Sequence, residues 1–227
     1  MNENSLPVPQ RSDRSTRKSQ TRAALIRAAA ELFAELGYAD TTLEAIADRA
    51  NLHVQTLYRH FPNKESLAIA PERDFLERFK IAVRQKDPAQ PFSGFWREWV
   101  STSAEKIQTS YRQSLLQKIT DTHHSPAVAG QLMPITKEYI NLLENGLADE
   151  LNLDRRASRY PRLFAAMLMG GNAAAAENWA DSYGRTDLVE EVTGVVDDVC
   201  MLMRVWMSAR DTSLMNMPVS GGGGARS

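Results

Sequence analysis

The sequence predicts an all-α fold. Apolar residues recur at three- and four-residue steps along most of the chain, and glycines and prolines separate these runs. No segment keeps a two-residue alternation bounded by hairpin signals. The chain has 227 residues, 43% of them hydrophobic, which is enough to bury a real core in one domain or two small ones. Its formal net charge of -1 carries no global polycationic signature, so any surface for nucleic acid must be local. The one cysteine, Cys200, excludes an intramolecular disulfide framework and suits a reducing compartment. Residues 1–20 lack the apolar stretch of a secretory signal, and no uncharged apolar run approaches membrane-spanning length. The expected location is therefore the cytoplasm, with no membrane partner.

The elements follow in order. Residues 1–20 have little to bury, and up to Arg22 the positive Arg11, Arg14, Arg17, Lys18 and Arg22 face only Glu3 and Asp13. This reads as a disordered basic arm. From Arg22 a first helix of about five turns repeats Leu25, Ile26, Ala29, Leu32, Phe33 and Leu36, and Gly37 stops it. Thr41 stands three residues before Glu44, the spacing of a capping box, and Leu43, Ile46, Ala47 and Ala50 give a second, short helix over about 42–50 one apolar face. Asn51 then tolerates the left-handed conformation of a tight turn. A third helix is expected over about 54–60, limited by Pro62. Two short helices joined by so short a turn have the form of a helix-turn-helix.

The third helix divides into two sets of side chains. Leu52, Leu57 and Phe61 suffice to pin it to its neighbours, which leaves Val54, Gln55, Thr56, Tyr58, Arg59 and His60 for an outward face. Gln matches adenine edges, Arg matches guanine, Val and the Thr methyl match the thymine methyl, and hydroxyls match phosphate. Lys64 opens the next helix, where charge and free backbone N–H groups favour a phosphate. Residue types alone leave a structural helical hairpin with a solvated face equally open.

The stretches "AAAELFAELGYADTTLEAIADRANL" and "TLYRHFPNKESL" resemble the DNA-binding domain of the tetracycline-repressor (TetR) family of bacterial transcriptional regulators. The resemblance implies that Val54, Gln55, Thr56, Tyr58, Arg59 and His60 occupy recognition-helix positions that contact DNA. It also implies that Thr42 and Lys64 flank them as backbone contacts. Two positions depart from the family pattern. Asn51 replaces the usual turn glycine, and His53 stands where a Ser or Thr caps the third helix, so the start of that helix lacks its usual support.

The rest of the chain continues in helices. One begins near Lys64 and is interrupted at Pro71. "GFWREWVSTSAEKI" is amphipathic, a further helix holds Tyr111, Leu115, Leu116 and Ile119, and a long one runs through Val128, Ile135, Tyr139 and Leu147. The resemblance implies that these helices enclose an effector pocket, for which Trp96, Trp99, Tyr111, Met133 and Tyr139 are the candidates. Individually, such residues at helical spacing read more simply as core. "DTHH" offers Asp121, His123 and His124, but adjacent turn histidines without a cysteine or partner carboxylate read as solvated. No nucleophile, base and orienting group assemble, so neither an enzyme nor a cofactor or metal site is expected.

The last two helices carry more apolar surface than one buried stripe needs. The resemblance implies a four-helix homodimer interface, with Leu168, Ala174, Val192, Val195, Val199, Met203 and Trp206 as its candidates. The expected organisation is an arm (1–20), a DNA-binding domain (21–67), an effector and dimerisation domain (68–210) and a flexible tail (211–227). The expected function is a repressor of a palindromic operator that a small molecule releases. A helical enzyme and a structural DNA-binding protein are the alternatives.

Overall fold

Helix α1 spans Arg11–Asp40 in the computed structural model, which describes residues 11–111, 125–182 and 184–215. The arm expected to be disordered is therefore helical from Arg11 onward. Pro9 is the last proline before Gly37, and nothing between them interrupts the hydrogen-bond ladder. Gly37 does break the helix, at φ 80°. The capping box expected from Thr41 is absent: Thr41 is buried and its hydroxyl donates to the carbonyls of Gly37 (2.7 Å) and Leu32 (3.2 Å). Thr42 is the cap of α2 (Leu43–Arg49) instead, accepting the Ala45 N–H at 3.1 Å.

Helix α2 ends at Asn51, whose φ is 56°. The Leu52 N–H reaches the Ala47 carbonyl and the Asn51 N–H the Asp48 carbonyl, both at 2.9 Å, which is the Schellman arrangement with asparagine in the glycine position. Helix α3 covers Val54–His60 as expected. Helix α4 (Lys64–Ala68) and α5 (Ala70–Gln85) are separate because Pro71 sits in the first turn of α5, where its missing N–H costs nothing. Helix α6 (Phe92–Lys106) runs into a π-helical turn at Ile107–Tyr111. Most of the helix expected around Tyr111–Ile119, and Asp121, His123 and His124, lie outside the described residues. Helices α7 (Pro126–Glu150), α8 (Tyr160–Asp181) and α9 (Leu188–Met215) complete the chain. Every regular element among the described residues is helical, and none is long and apolar enough to cross a membrane.

Two apolar clusters form. The smaller joins α1 to α4 through Leu25, Phe33, Ile46, Leu57, Phe61 and Leu67. The larger joins α5 to α9 around Phe79, Trp96, Leu143, Leu168, Trp179 and Val196. Tyr38 and Ala68 pack against both. Within the larger core, Trp96 Nε1 donates to Asn172 Oδ1 at 3.1 Å, and Asn172 Nδ2 donates to the Val192 carbonyl at 2.8 Å, so one asparagine ties α6, α8 and α9 together.

This core absorbs four of the residues expected between protomers. Leu168, Val192, Val199 and Met203 are buried within the chain itself. Val195 packs onto α8 beside Gly171, and Trp206 packs against Tyr160, tilted by 36° with 4.1 Å between ring centroids. Of the candidates, Ala174 alone is exposed. The outward apolar side chains on α8 and α9 are instead Leu163, Met201, Leu202 and Val205. Helical periodicity marked one broad apolar face on α9 and could not say which part of it is covered within the chain.

Candidate nucleic-acid interface

Helix α3 is held from beneath by Leu57, which is fully buried, and by Phe61 just after its end. Gln55, Tyr58 and Arg59 are exposed on the other side, while Thr56 and His60 are half-buried. Arg59 donates to Thr56 Oγ1 at 3.1 Å, which fixes the direction of its guanidinium along the helix surface. Val54, expected to face outward, is half-buried and packs against the smaller core. The missing cap at His53 is real: its side chain makes no capping bond, and the first turn closes through the Thr56 N–H to the His53 carbonyl at 2.8 Å.

Two flanking positions behave differently. Thr42 is exposed at the start of α2, and because its oxygen accepts the capping bond its hydroxyl proton remains a donor for phosphate. Lys64 is not free for that role. Its ammonium donates to the carbonyls of Tyr38 (2.7 Å), Thr41 (2.9 Å) and Ala39 (3.1 Å), so all three of its donors are engaged within the chain. It closes the end of α1 onto α4. Arg49 adds a second clamp, pairing with both carboxylate oxygens of Glu35 at 2.9 and 2.7 Å across α1 and α2.

Positive charge converges on the end of α3 from an unexpected direction. His60 has its pKa lowered, first by partial burial and then by the charges of Lys18, Arg22 and Arg59. Lys18 and Arg22 come from α1. Composition marked this segment as basic, but only its helical continuity sets the register that turns the two residues toward α3. Arg22 also pairs with Asp74 of α5 and lies over the Phe61 ring at 5.4 Å.

The effector candidates do not form one set. Phe75, Phe79, Trp96, Trp99 and Tyr139 build an aromatic cluster, with Phe79 within 5.3 Å of the Trp96, Trp99 and Tyr139 ring centroids. Trp99 Nε1 and the Tyr139 hydroxyl are buried there without a hydrogen-bond partner, and burial raises the Tyr139 pKa. Met133 does not join them; it is 69% exposed on α7. Its place on the helix, not its residue type, decides this. The Tyr111 side chain lies outside the described residues. Among the described residues no group of three or more His, Cys, Asp or Glu side chains could hold a metal ion.

Comparison with known proteins accords with this arrangement. The family model for bacterial regulatory proteins of the tetR family matches residues 25–70, the region of the helix-turn-helix. The HTH-type transcriptional regulator TcmR of Streptomyces glaucescens is 26% identical over 184 residues, covering 78% of this chain and 79% of that protein. The HTH-type transcriptional repressor KstR2 of Mycolicibacterium smegmatis is 27% identical over 143 residues, 60% of this chain and 70% of its own. A triclosan complex of SmeT, the repressor of a multidrug efflux pump of Stenotrophomonas maltophilia, superposes with a TM-score of 0.64 at 19% identity, over 81% of this chain and 91% of that one. With a matching family model on the helices that present Gln55, Tyr58 and Arg59, and regulators as relatives over most of the chain's length, residues 25–70 are a helix-turn-helix domain of the tetR family of bacterial regulatory proteins.

Proposed function

We propose that this chain is a repressor that binds a palindromic operator as a homodimer and leaves it when a small molecule binds the C-terminal helices. The observation that carries the reading is the outward face of α3, where Gln55, Tyr58 and Arg59 stand exposed on a helix pinned by Leu57. Two such helices related by two-fold symmetry would enter successive major grooves, with Gln55 and Arg59 reading bases. Thr42, Tyr58 and His60 would hold the backbone. The exposed Leu163 and Ala174 of α8 and Met201, Leu202 and Val205 of α9 would form the self-complementary patch a two-fold dimer requires.

The effector half rests on the aromatic cluster. Two buried donors without partners in one cluster are costly, about 1–3 kcal/mol each, unless a ligand supplies acceptors. Helices α4 and α5 both pack on α7, which carries Tyr139, so a ligand that shifts α7 acts directly on the helix-turn-helix. The ligand displaces DNA only by its preference for one of two arrangements.

Mobility-shift titration against fragmented host DNA tests the reading. A sequence-preferring complex that weakens steeply with salt is expected. Binding without sequence preference would leave a structural DNA-binding protein, and no complex at all would remove the regulator reading.

A further inference from the structure

A cleft of about 350 Å3 opens between the helix-turn-helix and the C-terminal helices. Arg22 enters it from α1, His60 from the end of α3, Arg73 from α5 and Gln131 from α7, with Asn63 and Ser66 at the start of α4. We infer that this cleft binds a small hydroxylated phosphomonoester, its phosphate between Arg22, Arg73 and His60, and that occupancy opposes operator binding.

The charges favour an anion. Arg22 is oriented before any ligand arrives, by its ion pair with Asp74 and by the Phe61 ring beneath it. Arg73 is exposed and has no ion-pair partner among the described residues. Lys18 and Arg59 add their fields at His60, so these cations outweigh Asp74, the acidic group paired at the cleft. Those fields and burial hold the imidazole toward its neutral form. A bound dianion reverses the balance and turns His60 into a charged donor.

The remaining lining argues for more than a bare ion. The volume lies at the lower end of the range for small-molecule sites; beside Phe61 and Pro62, the Gln131 amide and the Asn63 Nδ2 group offer hydrogen bonds to the hydroxyls of a ligand body, whereas the Ser66 hydroxyl and Asn63 Oδ1 are taken by the α4 capping box. His60 is also the last residue of α3. One imidazole cannot serve the cleft and an operator phosphate together, so a ligand that recruits it competes with DNA; this second half rests on the regulator reading.

Nuclear magnetic resonance of the His60 ring in the full chain, titrated with inorganic phosphate and then with glycerol 3-phosphate, tests the site without DNA. Saturable shifts are expected, with the organic phosphate binding more tightly and the His60 titration midpoint rising by about one pH unit. Arg73→Gln should weaken both responses about tenfold. In mobility shifts at ionic strength matched with chloride, glycerol 3-phosphate should reduce operator affinity for the wild type and not for Arg73→Gln. The inference is overturned if neither probe moves His60, if Arg73→Gln responds as the wild type does, or if the two phosphates bind equally. It also falls if Arg73→Gln alone loses operator affinity in chloride, because the cleft would then be a contact for the DNA backbone. Loss of the regulator reading would appear separately, as no operator complex with the His60 response intact.

Discussion

The Lys64 ammonium donates to the Tyr38 carbonyl at 2.7 Å and lies 4.4 Å from the centroid of the Tyr38 ring. With the Ala39 and Thr41 carbonyls, this makes Lys64 the closure of α1 onto α4. Lys64→Ala should therefore destabilise the fold by about 2 kcal/mol, the scale of losing charge-assisted hydrogen bonds to backbone carbonyls. Thermal or urea denaturation reads this directly. A phosphate contact would behave in the opposite way, with an unchanged melting temperature and a salt dependence of operator binding reduced by about one ion.

Asparagine ends two helices here by the same device. Asn51 (φ 56°) follows α2 and Asn152 (φ 49°) follows α7, where the Leu153 N–H reaches the Ala148 carbonyl at 2.9 Å. Alanine in the left-handed region costs about 1–2 kcal/mol more than glycine does. Asn51→Ala should lower stability by about 1 kcal/mol, whereas Asn51→Gly should be close to neutral. A chemical denaturation series distinguishes the pair; equal losses would mean that the asparagine side chain, not the backbone angle, supports the turn.

The helix-turn-helix was largely legible because its signals are local. Gly37, Asn51, Pro62 and Pro71 each act on the backbone within a few residues, and α3 falls where its flanking residues put it. The internal role of Lys64 was not legible because its partners lie 23 to 26 residues earlier, on carbonyls that follow the kink at Gly37. The arm was misread for a different reason. Low apolar content predicts little burial, yet Arg11–Gln20 extends a helix already nucleated by the buried Leu25 to Phe33 face, and extension needs no core of its own. The burial of Leu168 and Val192 within the chain was not legible, because apolar spacing marks a broad face without saying which part of it the chain itself covers.

Gln55 and Thr42 should separate base reading from anchoring. Gln55 is exposed on α3, so Gln55→Ala should cost about 1–3 kcal/mol at one operator base pair and little elsewhere. Thr42→Ala removes both the α2 cap and a hydroxyl aimed at the backbone, and should weaken all sequences alike while lowering stability by about 1 kcal/mol. Selection of bound sequences with each variant provides the comparison. A narrowed or shifted base preference for Thr42→Ala would reverse the assignment.

The outward stripe of α9 gives the sharpest test of assembly. Val205 is 63% exposed and Leu202 45% exposed in the single chain, so a glutamate at either position disturbs nothing inside it. Leu202→Glu and Val205→Glu together should keep the helical circular dichroism of the wild type and yet sediment as a monomer, since two charges would be buried unpaired at a two-fold interface. Operator affinity should fall steeply with them, because half-sites bound one at a time lose the effective concentration that a linked second helix supplies. Leu168→Ala offers the contrast. Buried inside the chain, it should cost about 2–5 kcal/mol of folding stability. A dimer that survives the double glutamate would move the interface away from this stripe and leave the exposed leucines, Met201 and Val205 in need of another partner.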